Sequence, residues 1–306
     1  MGNEQGAPAT KKEVKQRFTK TILTHYETID DINDAFNKAR LESVGFIVGI
    51  DFSASNKTNG EKTYGGKCLH DIDEGNPNPY MRVMDILRTI LIDLDDDGLI
   101  PVYGFGRFRT AKEKHLFNLS PHRTSFQGMA SAIEAYKKVV PSLKLRGTTS
   151  FVPLIRKAIE IVKETNQYHI LVIICDGQVT DVDENRKIIE EASKYALSII
   201  CIGVGDGPFD VMKYFDDYMK NSKFDNFNFV DYYKTCEDHV ENPYVSFVCA
   251  AFNEIPVQYA IIKKLGILKG PPRPVIKLDP SMLQVLDEIG KASRMTQKVS
   301  KKPSGK

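Results

Sequence analysis

The sequence predicts an α/β fold: a doubly wound, mostly parallel sheet with helices on both faces. Two runs of apolar, β-prone residues, 45–50 and 170–175, have the composition of strands that are buried on both faces, which is typical of parallel sheets. Each run stops at an aspartate, Asp51 or Asp176. Strand patterns and helix patterns alternate along most of the remaining chain, and this alternation favours a parallel sheet covered by helices.

The spacing of apolar residues and the turn residues predict the elements in order. A first helix is expected over 28–40, because acidic residues occupy its first turn and stabilise the positive end of its dipole. The polar stretch 54–77 is expected to be a loop, and Asn78-Pro79 to start the next helix, because proline is favoured at the first helical position. The later predicted strands are 99–104, an edge strand around 115–119, 170–175, 197–204 and 227–230. The later predicted helices are 127–140, one capped by Ser150, 184–195, 209–219, and a long apolar one from Pro243 that Pro256 should interrupt.

Charge divides the chain into three predicted regions. Residues 263–306 carry 11 basic and 3 acidic side chains, whereas the residues before them carry 31 basic and 37 acidic ones. We expect residues 1–27 to be a disordered basic segment, 28–268 to be the folded domain, and 269–306 to be a Pro-rich, basic and mostly disordered tail with one short helix over 281–292. Hydrophobic content of 42% over 306 residues is ordinary for a globular domain with a core.

Cysteine usage and hydropathy predict a cytoplasmic protein. The five cysteines are scattered and form no CxxC pair, which indicates a reducing compartment and neither a disulfide framework nor a zinc site. No apolar run approaches the roughly 18 residues that a membrane span needs, and no signal-peptide core is present. The six histidines show no ligand spacing and are expected to be packing or surface residues. Aromatic residues over 227–233 favour a half-buried strand over base stacking, so nucleic-acid binding is not expected.

Oxygen-bearing side chains occur at three places that this fold would bring together. Asp51, Ser53 and Ser55 leave the first buried strand, residues 147–151 form a tight loop that enters a helix, and Asp176 ends the second buried strand. If these two strands are neighbours, the three segments emerge at the carboxyl edge of the sheet, where such folds bind ligands. Two carboxylates with hydroxyls suit Mg²⁺, Mn²⁺ or Ca²⁺. The first segment alone fits an ordinary turn better, since Asp and Ser are common turn residues.

Two glycine-rich turns follow predicted strands, at 104–106 and 203–207. Neither has the full dinucleotide-binding fingerprint of a first βαβ unit. We expect both to be tight turns that let the loops pass close to the same edge of the sheet.

The Asp51-x-Ser53-x-Ser55 motif, the later Gly-x-Thr and the strand-terminal Asp176-Gly177 resemble the metal-ion-dependent adhesion site (MIDAS) of the Rossmann-like von Willebrand factor A (vWA) domains. More closely, residues 28–265 resemble the copine-type vWA domain. Segments 99–101 and 224–227 look most like the copine-type domain of plant RING-type ubiquitin ligases. The matching segments are 48–56, 78–80, 103–106, 147–151, 168–181, 204–207, 224–227 and 254–256.

The resemblance implies a role for each candidate site residue. Ser53, Ser55 and Thr149 would give hydroxyl oxygens to the cation, and Asp51 and Asp176 would bind it directly or through water. Thr149, not its neighbour Thr148, falls on the motif threonine. Such a site keeps one position open for an Asp or Glu of a partner protein. The resemblance therefore implies a metal-dependent adaptor or scaffold domain that is not an enzyme.

Two departures from these relatives and two alternative functions complete the expectations. Copines carry C2 domains before this domain, and the ligases carry a RING finger after it. A RING finger needs cysteine and histidine ligands for zinc, and none follows Glu254, so ligase activity is not expected.

One alternative function is a metal-assisted hydrolase or phosphotransferase at the same edge. The other is a membrane-recruited adaptor in ubiquitin or signalling pathways, peripheral at the inner face of the plasma membrane. It would use N-myristoylation of Gly2 and a basic cluster over 11–17, although Gly6 stands where the acylation motif prefers Ser or Thr.

Overall fold

A seven-stranded sheet lies at the centre of the computed structural model, which describes residues 22, 24–41, 44–94, 98–106, 116–217, 219, 221–238 and 241–268. The strand order is β3-β2-β1-β5-β6-β7, and β4 pairs separately with β2. Only β3 and β4 run antiparallel to their neighbour, so the predicted mostly parallel sheet is confirmed. The strands are β1 Gly45–Asp51, β2 Leu99–Phe105, β3 Leu116–Asn118, β4 Ser125–Gln127, β5 His169–Cys175, β6 Leu197–Gly203 and β7 Phe227–Asp231.

Helices cover the sheet on both faces, as its almost entirely apolar strands require. Every residue of β5 and β6 is buried, because helices shield both sides of these central strands. The helices of the described part are α1 Ile29–Ala39, α2 Pro79–Leu94, α3 Gly128–Val139, α4 Val152–Thr165, α5 Val182–Ala192, α6 Asp210–Asp217, α7 Tyr232–Asp238, α8 Pro243–Phe252 and α9 Ile255–Lys264. Two short 3-10 turns, Ala54–Lys57 and Val140–Ser142, complete the elements.

Side chains at the predicted helix starts satisfy the first backbone N–H groups. Thr28 and Asp31 form a capping box on α1: the Thr28 hydroxyl accepts from the Asp31 N–H at 3.1 Å, and Asp31 Oδ2 accepts from the Thr28 N–H at 3.0 Å. Asn78 caps α2 with a single hydrogen bond, in which its Oδ1 accepts from the Met81 N–H at 2.9 Å. Both predicted helix starts are therefore confirmed.

Two local predictions were wrong, and one strand was missed. Ser150 does not cap α4, which begins at Val152 because Pro153 favours its first turn; the Ser150 hydroxyl only accepts a long 3.4 Å hydrogen bond from the Val152 N–H. Tyr232 starts α7 and does not extend the preceding strand, because Asp231 Oδ1 accepts from the Lys234 N–H at 3.1 Å and ends β7. Strand β4 was not predicted, since three residues are too few for an alternating pattern.

The apolar stretch 243–264 is long enough by length and composition to cross a membrane, at 22 residues, and the sequence prediction overlooked it. In the structure it forms two helices, α8 and α9, which separate before Pro256 as expected. Asn253 at the break exchanges hydrogen bonds with Thr24: its Nδ2 donates to the Thr24 carbonyl at 3.1 Å, and the Thr24 hydroxyl donates to its carbonyl at 2.7 Å. Since 61% of the most apolar window is buried, we interpret the stretch as core helices.

The amino edge of the sheet contacts α9 and holds a group of buried acids. The Tyr259 ring of α9 lies 5.1 Å from that of Tyr168, which precedes β5. Asp225, just before β7, and Glu254, just before α9, are buried. Asp225 Oδ2 accepts from the Ile22 N–H at 3.1 Å, so the first described residue is also bound at this edge.

The pKa values of these acids are raised, first of all because they are removed from water. Burial raises the pKa of Asp225 to about 7, of Asp216 at the end of α6 to about 8, and of Glu254 to about 10. The charge of neighbouring carboxylates raises them further. The Oδ1 atoms of Asp216 and Asp225 have no hydrogen-bond partner in the described part of the chain.

Residues 2–21, the basic cluster over 11–17 and the whole tail over 269–306 lie outside the described residues. The acylation of Gly2, the disorder of residues 1–21 and 269–306 and the helix over 281–292 therefore stay predictions, whereas Ile22 and Thr24 of the predicted disordered segment are hydrogen-bonded to the domain.

Candidate metal centre

The register of two parallel strands places Asp51 and Asp176 side by side at the carboxyl edge of the sheet. β1 pairs with β5 from Gly45 with His169 to Ile50 with Ile174. Asp51 ends β1, and Asp176 directly follows β5. The expectation that these two strands are neighbours is therefore confirmed.

Hydrogen bonds join the five predicted side chains into one group. The Ser53 and Ser55 hydroxyl oxygens lie 2.9 Å apart, and the Ser55 hydroxyl donates to Asp176 Oδ1 at 3.0 Å. The Thr149 hydroxyl donates to Asp51 Oδ2 at 3.2 Å. The backbone N–H of Ser53 donates to Asp51 Oδ1 at 2.8 Å, which connects the serine–Asp176 contacts to the Thr149–Asp51 contact. The structure thus brings all five residues together, while their binding of an ion stays a prediction.

Burial separates the two neighbouring threonines of the third segment. Thr149 is 4% exposed and contacts the site, whereas Thr148 is exposed. The loop itself is held against the first segment, because the Ala54 N–H donates to the Gly147 carbonyl at 3.4 Å. The geometry therefore agrees with the choice of Thr149 that the resemblance implied.

The electrostatics of the group favour a bound cation. Asp51 and Asp176 are both 0% exposed, and the salt bridges found among the described residues include neither. Burial raises the pKa of both carboxyls, and the charge of Asp176 raises that of Asp51 further. Asp176 Oδ2 is buried and has no hydrogen-bond partner among the described residues. A divalent cation would supply both the missing partner and the compensating charge.

The chemistry of the donors favours a hard cation. No group of three or more His, Cys, Asp or Glu side chains suited to a metal occurs in the described part of the chain. The candidate group instead combines two carboxylates with three hydroxyls, an all-oxygen set that fits Mg²⁺, Mn²⁺ or Ca²⁺ better than Zn²⁺ or Cu²⁺.

Asn56 supports the first segment and was not singled out by the sequence. Its Nδ2 lies 3.3 Å from three acceptors: the carbonyl oxygens of Asp51 and Ser53, and the Ser53 hydroxyl. Its own Oδ1 accepts from the Tyr80 hydroxyl at 2.6 Å. Asn56 is fully buried in a stretch that the sequence predicted only as a polar loop. Its position directly after the Asp-x-Ser-x-Ser motif was the one available signal.

A second amide, Asn59, supports the other aspartate. Its Nδ2 donates to the Asp176 carbonyl at 2.9 Å and to the Gly207 carbonyl at 3.1 Å. Gly205 belongs to the same arrangement: a Cβ there would lie 2.9 Å from the carbonyl oxygens of both Asn59 and Asp176. The predicted close approach of the 203–207 turn to this edge is confirmed.

We expect Gly106→Ala to weaken binding of Mn²⁺ as well as to destabilise the fold. Gly106 has a φ of +82°, and a Cβ there would lie 2.6 Å from Asp51 Oδ1 and 2.9 Å from the Ser53 nitrogen. The positive φ alone costs an alanine about 1–2 kcal/mol, and the new methyl group must also displace the Asp51 carboxylate. Thermal unfolding and isothermal titration with Mn²⁺ measure the two effects.

Gly66→Ala is the matched control for this substitution. Gly66 has a φ of +77°, and a Cβ there would meet nothing within 4 Å. Both variants should lose the stability that the positive φ costs, Gly106→Ala should lose more because of its close contacts, and only Gly106→Ala should bind Mn²⁺ more weakly. Equal Mn²⁺ affinity in the two variants would show that the methyl group does not disturb a metal centre.

Comparisons with known proteins identify the family. The copine family model matches residues 68–270. Copine family protein 2 of Caenorhabditis elegans is 44% identical over 250 residues, which cover 81% of this chain and 3% of that protein. The E3 ubiquitin-protein ligase RGLG3 of Arabidopsis thaliana is 42% identical over 253 residues, which cover 78% of this chain and 68% of that protein. For the Arabidopsis ligase RGLG5 the identity is 39% over 274 residues, 85% of this chain and 63% of that protein.

Solved structures show a more distant likeness. Manganese-loaded TRAP protein of Plasmodium vivax matches with 13% identity and a TM-score of 0.40, over 67% of this chain and 74% of that chain. The chain spans only part of the length of its sequence relatives. The family assignment rests on the family model and on the sequence relatives, not on the solved structures. That model and those relatives place this chain in the copine family.

Proposed function

We propose that this copine domain is a protein-binding module that holds a divalent cation and captures an acidic side chain of a partner protein. Asp51, Ser53, Ser55, Thr149 and Asp176 would hold the ion, with Mg²⁺ as the first candidate and Mn²⁺ or Ca²⁺ as substitutes. The observation that carries the proposal is the linked group of two fully buried carboxylates and three hydroxyls, in which Asp176 Oδ2 has no partner in the part of the chain that the structure describes.

The donor set explains why the captured group would be an acid. Three of the five ligands are neutral hydroxyls; with the two aspartates binding through water, only neutral oxygens would touch the ion, which would then keep part of its positive charge and attract a carboxylate from outside. The protein's own contribution is to hold these oxygens in place with buried hydrogen bonds and to shield the carboxylates from water on the side of the sheet. Binding of this kind requires no nucleophile and no proton transfer.

The observed contacts favour binding over hydrolysis or phosphotransfer. A catalytic role would need a base or nucleophile beside the two aspartates. His70, which does contact the first segment, has both ring nitrogens within hydrogen-bonding distance of other groups, the Asp51 carbonyl and the Tyr136 hydroxyl.

The setting we propose is an adaptor in the cytoplasm. The five cysteines are free, which supports a reducing compartment. The name of RGLG3 describes that protein as a ubiquitin ligase; for this chain we propose only the recruitment of a partner.

The test is capture of a protein partner in Mg²⁺ and in EDTA, with unaltered protein, Asp51→Ala and Thr148→Ala. We expect the unaltered protein and Thr148→Ala to retain the partner in Mg²⁺ and to release it in EDTA, because Thr148 is exposed and outside the group. Asp51→Ala should retain nothing in either buffer and should bind Mn²⁺ at least about 100-fold more weakly by titration calorimetry. Capture that is unchanged in EDTA would contradict the proposal.

A further inference from the structure

His70 lies inside the protein next to the candidate metal centre, although the sequence marked it only as a packing or surface residue. It is 3% exposed. Its ring is stacked between two aromatic rings, with centroid distances of 4.5 Å to Phe52 and 4.2 Å to Tyr80 and interplanar angles of 8° and 12°. This sandwich holds the plane of the imidazole in one orientation.

Two hydrogen bonds determine which ring nitrogen carries the proton. Nε2 lies 2.8 Å from the Asp51 carbonyl oxygen, and a carbonyl can only accept, so Nε2 must carry the hydrogen. Nδ1 is then the acceptor, and it lies 2.6 Å from the Tyr136 hydroxyl, which donates to it. The Tyr136 oxygen in turn accepts from Asn78 Nδ2 at 3.1 Å. The four residues form a chain of donors that runs in one direction, from Asn78 to Asp51.

The end point of this chain is the peptide group that carries the first metal-site residue. The Asp51 carbonyl also accepts from Asn56 Nδ2 at 3.3 Å, so it is held from two sides. Tyr80 connects the two sides, because its ring stacks on His70 and its hydroxyl donates to Asn56. A shift of this peptide group would turn the Asp51 side chain and move Ser53 with it.

We propose that His70 is a positioning residue of the metal centre: its Nε2–H holds the Asp51 carbonyl, and through it the Asp51 carboxylate and the Ser53 hydroxyl, in the geometry that receives the ion. The inference rests on the proposed function and adds a residue to it that does not touch the ion. Groups that orient metal ligands in this way typically contribute about 10–100-fold to metal affinity.

The experiment compares Mn²⁺ affinity with stability in His70→Leu and His70→Gln. Leucine removes the donor, so His70→Leu should bind Mn²⁺ about 10-fold more weakly or worse. The glutamine amide can place an N–H near the former Nε2, so His70→Gln should recover most of that affinity. Titration calorimetry gives the affinity, and thermal unfolding in EDTA gives the stability.

His169→Leu is the matched control, since His169 is also buried but begins β5 at the opposite edge of the sheet. It should lose stability and keep its Mn²⁺ affinity. If His70→Leu also keeps normal affinity while the unaltered protein binds Mn²⁺, His70 is a packing residue and the inference is overturned. If the unaltered protein binds no Mn²⁺, the proposed function itself fails and the positioning role with it.

A second measurement covers the case in which His70→Leu does not fold. The ¹⁵N chemical shifts of His70 should show a neutral ring protonated at Nε2. Tyr136→Phe, which removes only the hydroxyl that donates to Nδ1, should weaken Mn²⁺ binding about threefold to 10-fold. A ring protonated at Nδ1 in the unaltered protein, or normal Mn²⁺ affinity in Tyr136→Phe, would overturn the inference.

Discussion

Without metal, the Asp176→Asn protein is expected to unfold at a higher temperature than the unaltered protein, and to gain no stability from Mn²⁺. Asp176 is buried, one of its oxygens lacks a partner within the described ranges, and such a group costs about 1–3 kcal/mol. The asparagine removes the charge and can still accept from the Ser55 hydroxyl. The unaltered protein should instead gain about 2.7 kcal/mol from Mn²⁺ at 100 times its Kd.

The stability advantage of Asp176→Asn without metal depends on pH with a defined sign. The pKa of Asp176 is raised in the folded protein, so the folded state holds its proton more tightly than the unfolded state does. The stability of the unaltered protein therefore falls as pH rises above the ordinary carboxyl range, and the advantage of Asp176→Asn should be larger at pH 8 than at pH 5. Thermal unfolding in EDTA at the two pH values measures it.

Asp181→Asn is the control for this comparison. Asp181 is an exposed carboxylate at the start of α5, where asparagine caps a helix equally well. This variant should show no gain without metal and normal stabilisation by Mn²⁺. An Asp176→Asn protein that Mn²⁺ still stabilises would show that the ion binds elsewhere.

The second large effect is expected at the amino edge. Relative to the unaltered protein, Asp216→Asn should become more stable by about 1.4 kcal/mol per pH unit between pH 5 and pH 7, on the order of 3 kcal/mol in total. The reason is that burial raises the pKa of Asp216 to about 8, so in this range the folded protein binds a proton that the unfolded chain has lost. The difference should level off above about pH 8, where Asp216 is charged in both states.

Glu254→Gln separates this explanation from a general effect of alkaline pH. Burial raises the pKa of Glu254 to about 10. The stability advantage of Glu254→Gln over the unaltered protein should therefore keep growing at pH 9, where the advantage of Asp216→Asn is constant. Asp34→Asn, at an exposed position on α1, is the control variant. Urea unfolding at fixed temperature across this pH range tests all three, and parallel curves for Asp216→Asn and the unaltered protein would refute the expected titration.

The fold and the two aspartates were predictable because their signal is local. An apolar run that stops at Asp51 or Asp176 is visible in the sequence, and parallel strands end at one edge of the sheet. Thr148 and Thr149 could not be separated by spacing; the resemblance selected Thr149, and only its burial gives a physical reason.

The supporting residues were beyond sequence reasoning because their roles arise from tertiary contacts. Asn56 and His70 lie in a polar stretch without periodicity, and nothing local indicates that Phe52 and Tyr80 enclose the imidazole. The start of α7 was missed for a related reason: the alternation of β7 continues into Tyr232, and the Asp231 side chain, not the apolar pattern, ends the strand.

The pair of hydrogen bonds between Thr24 and Asn253 has a consequence for the position of the first described residues. It fastens the start of the described chain to the α8–α9 break, and α9 itself contacts the edge of the sheet remote from Asp51. The first described residues are therefore held on the side of the sheet opposite the candidate metal centre. This attachment keeps that part of the described chain away from the carboxyl edge, where the proposed partner would bind.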